Sequence, residues 1–187
     1  MSEPKSSKLN KKSSELRRRI TLYNLVPTLF WSVLNFVPVG YFCYVYVDRS
    51  FIYVAVAVSI LSGFLPQSFF DRTQLGRTTA IYSRIGMRKV RKYTQDGDWV
   101  NMLIRKKYPD YRAIKDKNSL KKELSQTYFY EKSHFVMLVF FLSVTIYAFI
   151  IGSLFWALII TANNLFFNVY PIWLQQYNRI RIKKLKK

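Results

Sequence analysis

The stretch Phe135–Leu174, FVMLVFFLSVTIYAFIIGSLFWALIITANNLFFNVYPIWL, runs 40 residues without a charge. One helix of that length would extend about 60 Å, twice the roughly 30 Å hydrocarbon core of a bilayer. The chain must therefore turn back inside the stretch, and Gly152-Ser153 near its middle offers the break. This predicts spans over 135–151 and 154–174. A re-entrant pair that dips in without crossing would return the chain to the same side, and the shortness of the first segment keeps that arrangement open.

Working outward, Leu25–Val47 is a second uncharged block of 23 residues and Phe51–Phe70 a third of 20. They are separated by Asp48-Arg49-Ser50, so the spacing predicts an antiparallel hairpin with spans over 25–47 and 51–70. Pro27 suits a helix start, whereas Pro38 and Pro66 are expected to kink their helices. The block over 25–47 is too long for a cleaved signal peptide. The expected fold is an all-α integral membrane protein of four transmembrane helices arranged as two hairpins. It forms a single membrane domain over 21–187, preceded by a disordered basic tail over 1–20.

Charge fixes an orientation. Of the 30 Lys and Arg, 7 fall in 1–24, 1 in 48–50, 16 in 71–134, none at the Gly-Ser turn and 6 in 175–187. Basic segments are retained on the cytoplasmic side, so four crossings put 29 of the 30 there, together with both termini, in a multi-pass protein of the cell membrane. The net charge of +20 would suggest nucleic acid in a soluble chain, but no stacking platform or reading helix is visible, and nucleic acid is not an expected partner. The basic, aromatic segment 71–134 is instead expected to lie on anionic lipid headgroups or to receive an anionic water-soluble substrate. Within it, Asp96-Gly97-Asp98 signals a turn.

The chain has one cysteine, Cys43, inside the first apolar block, so neither a disulfide nor a cysteine metal site can form within one chain. No metal is expected, because the single histidine and a nearby glutamate are too few ligands. That histidine, His134, follows Glu131 by three residues and Thr127 by seven, on one face of a helix entering the membrane. A carboxylate can hold an imidazole in one tautomer and stabilise its protonated form, although an interfacial anchor has the same pattern. Further on, Asn164, Asn168, Pro171, Gln175 and Asn178 recur at helical spacing. Such a stripe serves either hydrogen bonding between helices or a polar substrate groove. Arg179 and Arg181 follow, as forks for phosphate or carboxylate or as a plain cytoplasmic stop.

The run Asn168–Ile182, NVYPIWLQQYNRIRI, resembles the C-terminal pattern of the glycosyl-4,4'-diaponeurosporenoate acyltransferase family of staphyloxanthin-type carotenoid biosynthesis. Gln175, Tyr177, Asn178, Arg179 and Arg181 match its Gln-Arg-Tyr-Asn-Arg-x-Arg run; Gln176 replaces an Arg, Ile180 a Pro, and the upstream Pro is displaced by one. Thr127, Glu131 and His134 match the family's Thr-x3-Glu-x2-His segment. The resemblance implies a membrane-bound acyltransferase that moves a fatty acyl group from a thioester donor, acyl-coenzyme A or acyl carrier protein, to a hydroxyl of a glycosylated carotenoid or lipid, with no resident cofactor. It implies His134 as base with Glu131 orienting it. Gln175 or Asn178 would donate to the oxyanion, Arg179 and Arg181 would hold donor phosphates, and Asn168 and Tyr177 would complete the substrate site. The competing expectation is a non-enzymatic membrane scaffold or lipid-binding subunit.

The charge distribution makes a direct prediction. A cysteine introduced at Ser50 should react with an impermeant thiol reagent from outside the cell, and one at Lys117 should not; labelling at Lys117 from outside overturns the four-crossing topology.

Overall fold

The computed structural model describes residues 5–94, 97–109, 111 and 117–185, and every element among them is helical. In order these are α1 (Lys5–Tyr46), α2 (Arg49–Ser62), α3 (Gln67–Arg72), α4 (Thr79–Arg84), α5 (Met87–Val90) with a 3-10 turn over Arg91–Tyr93, α6 (Asp98–Lys107), α7 (Lys117–Ile150), α8 (Leu154–Asn164), a π-helical segment (Leu165–Val169) and α9 (Tyr170–Leu185). Three helical stretches are long and apolar enough to cross a membrane: Ser14–Tyr46 of α1, Lys117–Ile150, and Leu154–Lys184, which joins α8, the π segment and α9. Large apolar side chains stand exposed along them, among them Val33 and Val37 on α1, Leu142 and Phe149 on α7, and Phe155 and Leu158 on α8. A water-soluble monomer rarely tolerates such a surface.

Helix α1 departs from expectation at its start. It does not begin at Pro27 but runs back to Lys5, into the stretch expected as a basic tail, and both Pro27 and Pro38 lie inside it. The residues before Pro27 include Leu, Glu, Lys and Arg, which favour helix. The proline therefore costs one backbone bond within a helix that its neighbours sustain on both sides.

Helix α2 departs at its end. It stops at Ser62 after 14 residues, about 21 Å of rise, shorter than the span expected over 51–70. Pro66 does not kink a continuous helix but stands at the N-cap of α3. A proline disfavours helical geometry in the residue before it, and Leu65 is accordingly non-helical. Nor is the partner of α2 the one expected, because α2 packs along α7 rather than forming a hairpin with α1. At its start, Asp48 N donates to Tyr147 Oη at 3.3 Å and the Phe51 ring lies 4.7 Å from that of Tyr147. At its end, Gly63 sits so close to α7 that a Cβ would approach Val136 to 3.0 Å.

The turn between α7 and α8 falls where the sequence predicts it. Gly152 adopts φ +72°, its N–H bonds to Phe149 O at 3.0 Å, and Ser153 N bonds to Ala148 O at 2.8 Å. This is the Schellman arrangement, in which a left-handed residue closes the final carbonyls of a helix. Below the turn, Val39 and Phe42 of α1, Val47 just past its end, Phe141, Val144 and Ala148 of α7, and Ala157 and Ile160 of α8 form the buried core. Alanines at 148 and 157 let two helices approach closely just past the turn. A second cluster, Tyr82, Met87, Leu174, Tyr177 and Ile180, seats α4 and α5 against α9.

Gly152→Val should lower the stability of the detergent-solubilised protein by about 1–2 kcal/mol, the cost of a left-handed residue bearing a Cβ. An unchanged melting temperature would show that the turn carries no such constraint.

Candidate functional site

Two levels of polar side chains lie between α7 and the helix running from α8 to α9. The first centres on Glu131 and Arg179, both fully buried. Glu131 Oε2 accepts from Arg179 Nη1, and Oε1 accepts from Gln176 Nε2 at 2.8 Å. Gln176 is fixed in turn, because its Oε1 accepts from Leu75 N at 3.1 Å and from Tyr82 Oη at 2.9 Å. Burial raises the pKa of Tyr82 above the ordinary phenol value, which keeps its hydroxyl protonated as a donor. Arg179 Nη2 reaches Phe70 O at 3.3 Å, and Nε lies 3.7 Å from Asp71 Oδ1. The guanidinium also stacks 4.2 Å from the centroid of the Tyr128 ring, and Tyr128 Oη donates to Asp71 at 2.8 Å. One arginine thereby ties α3, α7 and α9 together.

The second level is one turn further along α7. The His134 ring lies beside the Asn168 side chain and the backbone of Phe167. Asn168 is fully buried. Its Nδ2 donates to Asn164 Oδ1 at 2.8 Å, and Asn164 Nδ2 donates to Leu138 O at 3.1 Å. Asn168 Oδ1 has no close hydrogen-bond partner among the described residues. An amide chain thus begins on the α7 backbone and ends in an acceptor beside the imidazole.

This geometry redistributes the roles expected from sequence. Glu131 does not orient His134; both of its oxygens are held by α9, and the group beside the imidazole is the amide of Asn168. Arg179 is enclosed around Glu131 and has no surface with which to hold a donor phosphate. Tyr177 packs in the second core cluster, where Arg181 stands 5.6 Å from its ring centroid. Thr127 is buried and its hydroxyl donates to Leu124 O at 2.7 Å within its own helix. Gln175 and Asn178 are half-buried and lie seven or more residues beyond Asn168. They flank Gln176 and Arg179, at the level of Glu131. The reason is the π segment: its wider turn advances the facing residues by about one position, so Gln176 and Arg179 point inward where the regular spacing selects Gln175 and Asn178. The sequence pattern does not single out Gln176, Tyr82, Asp71 or Tyr128 as site residues. The substitution at Gln176 was the available signal, since an uncharged amide replaces an arginine of the family pattern beside Arg179. Of the turn expected at Asp96-Gly97-Asp98, Asp96 lies outside the described residues and Gly97 stands at the N-cap of α6. No cluster of metal-ligating side chains occurs among the described residues.

A helical bundle with exposed apolar flanks, a lone histidine and an amide chain between two long apolar helices defines a membrane protein with an embedded polar site. The model of the glycosyl-4,4'-diaponeurosporenoate acyltransferase family matches residues 66–187, which include His134, Asn168 and the whole Glu131–Arg179 network. The chain belongs to this family. No protein of curated function and no solved structure matches it.

The buried pair predicts how variants behave. Glu131→Gln strands a buried guanidinium and should destabilise the protein by about 3–5 kcal/mol, seen as lost membrane abundance and a lower melting temperature. Adding Arg179→Met should recover a large part of that loss, because it removes the stranded charge. A Glu131→Gln variant of normal stability would show that the pair is no brace.

Proposed function

We propose that this protein is a membrane-bound O-acyltransferase that uses His134 to transfer a fatty acyl group from a thioester to a hydroxyl of a glycosylated carotenoid or similar glycolipid. The observation that carries the reading is the placement of the only histidine beside the buried Asn168 side chain, inside the region that defines the family. Neutral imidazole removes the hydroxyl proton while the oxygen attacks the thioester carbonyl carbon. The tetrahedral intermediate collapses, the C–S bond breaks, and the imidazolium returns its proton to the departing thiolate. Direct transfer of this kind needs no enzyme nucleophile. Asn168 Oδ1 orients the ring by accepting one imidazole N–H. The Glu131–Arg179 network holds α7 and α9 in the register that brings His134 and Asn168 together.

The donor enters from the basic end of the bundle, where Arg181, Lys183 and Lys184 follow the site on α9 and can meet the phosphates of coenzyme A or the acidic surface of acyl carrier protein. The acceptor's apolar part remains in the bilayer. A four-crossing topology with both termini cytoplasmic suits this division. It is supported by α2, which follows α7 from the level of Tyr147 to that of Val136 and returns the chain towards α3 at the end where α7 begins.

Membranes carrying the protein, given a radiolabelled long-chain acyl-coenzyme A or acyl carrier protein and a glycosylated lipid acceptor, should form an acylated glycolipid. His134→Ala should lower that rate at least about 100-fold at equal abundance, the scale of a lost general base. Asn168→Ala should lower it about tenfold, the scale of one hydrogen bond. Near-normal transfer by His134→Ala would overturn the mechanism and favour a scaffold or lipid-binding role.

A further inference from the structure

Helix α1 lies outside the residues that the family model matches, yet it borders the site. The Phe167 backbone lies beside His134, and the Phe167 ring is 5.9 Å from the ring of Trp31 on α1. One turn along α1, Asn35 is nine-tenths buried. Its main-chain carbonyl accepts from Asn163 Nδ2 at 2.6 Å, which docks α1 on α8. Its side-chain oxygen, Oδ1, is buried with no hydrogen-bond partner among the described residues. Contact between these helices therefore uses the backbone of Asn35 and leaves the side chain unexplained.

An unsatisfied amide oxygen in an apolar interior costs on the order of 1–3 kcal/mol, so apolar packing does not account for it. Asn35 Oδ1 is such an acceptor, one turn along α1 from the Trp31 ring that meets Phe167. A ligand that satisfies it must present a hydroxyl donor while otherwise lying in apolar surroundings. The neighbouring Trp31 offers an indole face for the C–H surface of a sugar ring. Among the described residues its Nε1 makes one long contact, 3.5 Å to Tyr93 O, leaving that donor available for exchange to a ligand.

We infer that Asn35 and Trp31 of α1 form the subsite for the sugar headgroup of the acceptor, Asn35 accepting a hydroxyl hydrogen and Trp31 stacking on the ring. The inference rests on the acyl-transfer reading for the identity of the acceptor, but its binding step stands without catalysis. It makes α1 the specificity element, while α7, α8 and α9 carry the reaction.

The test uses the full-length protein in lipid nanodiscs, with dodecyl β-glucoside and dodecanol as probes. Glucoside binding, followed by tryptophan fluorescence, needs no donor. Asn35→Leu retains the main-chain bond to Asn163 and should keep the wild-type melting temperature while weakening glucoside binding about 3- to 10-fold, the range of one neutral hydrogen bond. Dodecanol binding should not change. In acyl transfer the same variant should raise KM for the glucoside by a similar factor and leave KM for the acyl donor unaltered. Trp31→Ala should weaken glucoside binding and Trp31→Phe, which keeps a ring, should do so less, both read by competition with a radiolabelled glucoside.

Equal glucoside binding by wild type and Asn35→Leu overturns the subsite. So does a parallel loss of glucoside and dodecanol binding, which would mark Asn35 as a packing residue. Asn35-dependent glucoside binding without any acyl transfer by the wild type would retain the subsite and overturn the acyltransferase reading instead.

Discussion

The ion pair between Glu131 and Arg179 is the constraint on which the arrangement of the site depends. Both groups are fully buried, where the cost of desolvating two charges is recovered only if their remaining donors and acceptors are also met. Here they largely are, by Gln176, the Phe70 carbonyl and the Tyr128 ring. Each of those partners comes from a different part of the chain. Satisfying one arginine therefore fixes the depth of α9 relative to α7 and closes the Leu75–Tyr82 segment over the end of the bundle through Gln176. An apolar contact of equal area would tolerate sliding by a residue, whereas directed bonds to two carboxylate oxygens do not.

With that register fixed, the π segment Leu165–Val169 decides what meets His134. A helix that remained regular from Leu154 to Leu185 would present a single continuous stripe, with its amides and its arginine in one phase. The wider turn divides the stripe into two levels. Asn164 and Asn168 face the middle of α7, and Gln176 and Arg179 face its approach to the membrane. Charge is thereby kept at one level and neutral amides at the other. His134 consequently sits beside the neutral amide of Asn168, while the carboxylate of Glu131 is held by α9.

The chain also divides by the role of its elements. The segment from α3 to α9 contains the ion pair, the amide chain and the histidine, and coincides with the part that places the protein in its family. Helices α1 and α2 supply apolar bulk, through Val39 and Phe42 and through Phe51 and Ile52, to the same core that supports α7 and α8. Where α1 passes the π segment, however, its side chains include Trp31 and Asn35, so this apolar support is also a wall of the polar site.

The apolar blocks, the turn at Gly152 and the concentration of polar groups around Glu131, His134 and Asn168 were legible in the sequence because each depends on local properties. A charge-free run has a length, a bilayer has a thickness, and glycine alone adopts the left-handed turn without strain. The early end of α2, its packing on α7 and the extension of α1 through Pro27 were not legible, because neighbouring elements and flanking helix formers decide where a helix tolerates a proline. The pairing within the site was least legible of all. Spacing of three residues put Glu131 and His134 on one face of α7, but a face is not a contact. The partners of Glu131 are 45 and 48 residues away in sequence. A single π turn in the opposing helix rotated Gln176 and Arg179 towards Glu131 and left His134 to Asn168. Sequence alone determined which polar residues these apolar helices carry; tertiary structure decided which of them meet, because side-chain direction on a helix changes by about 100° with each residue of register.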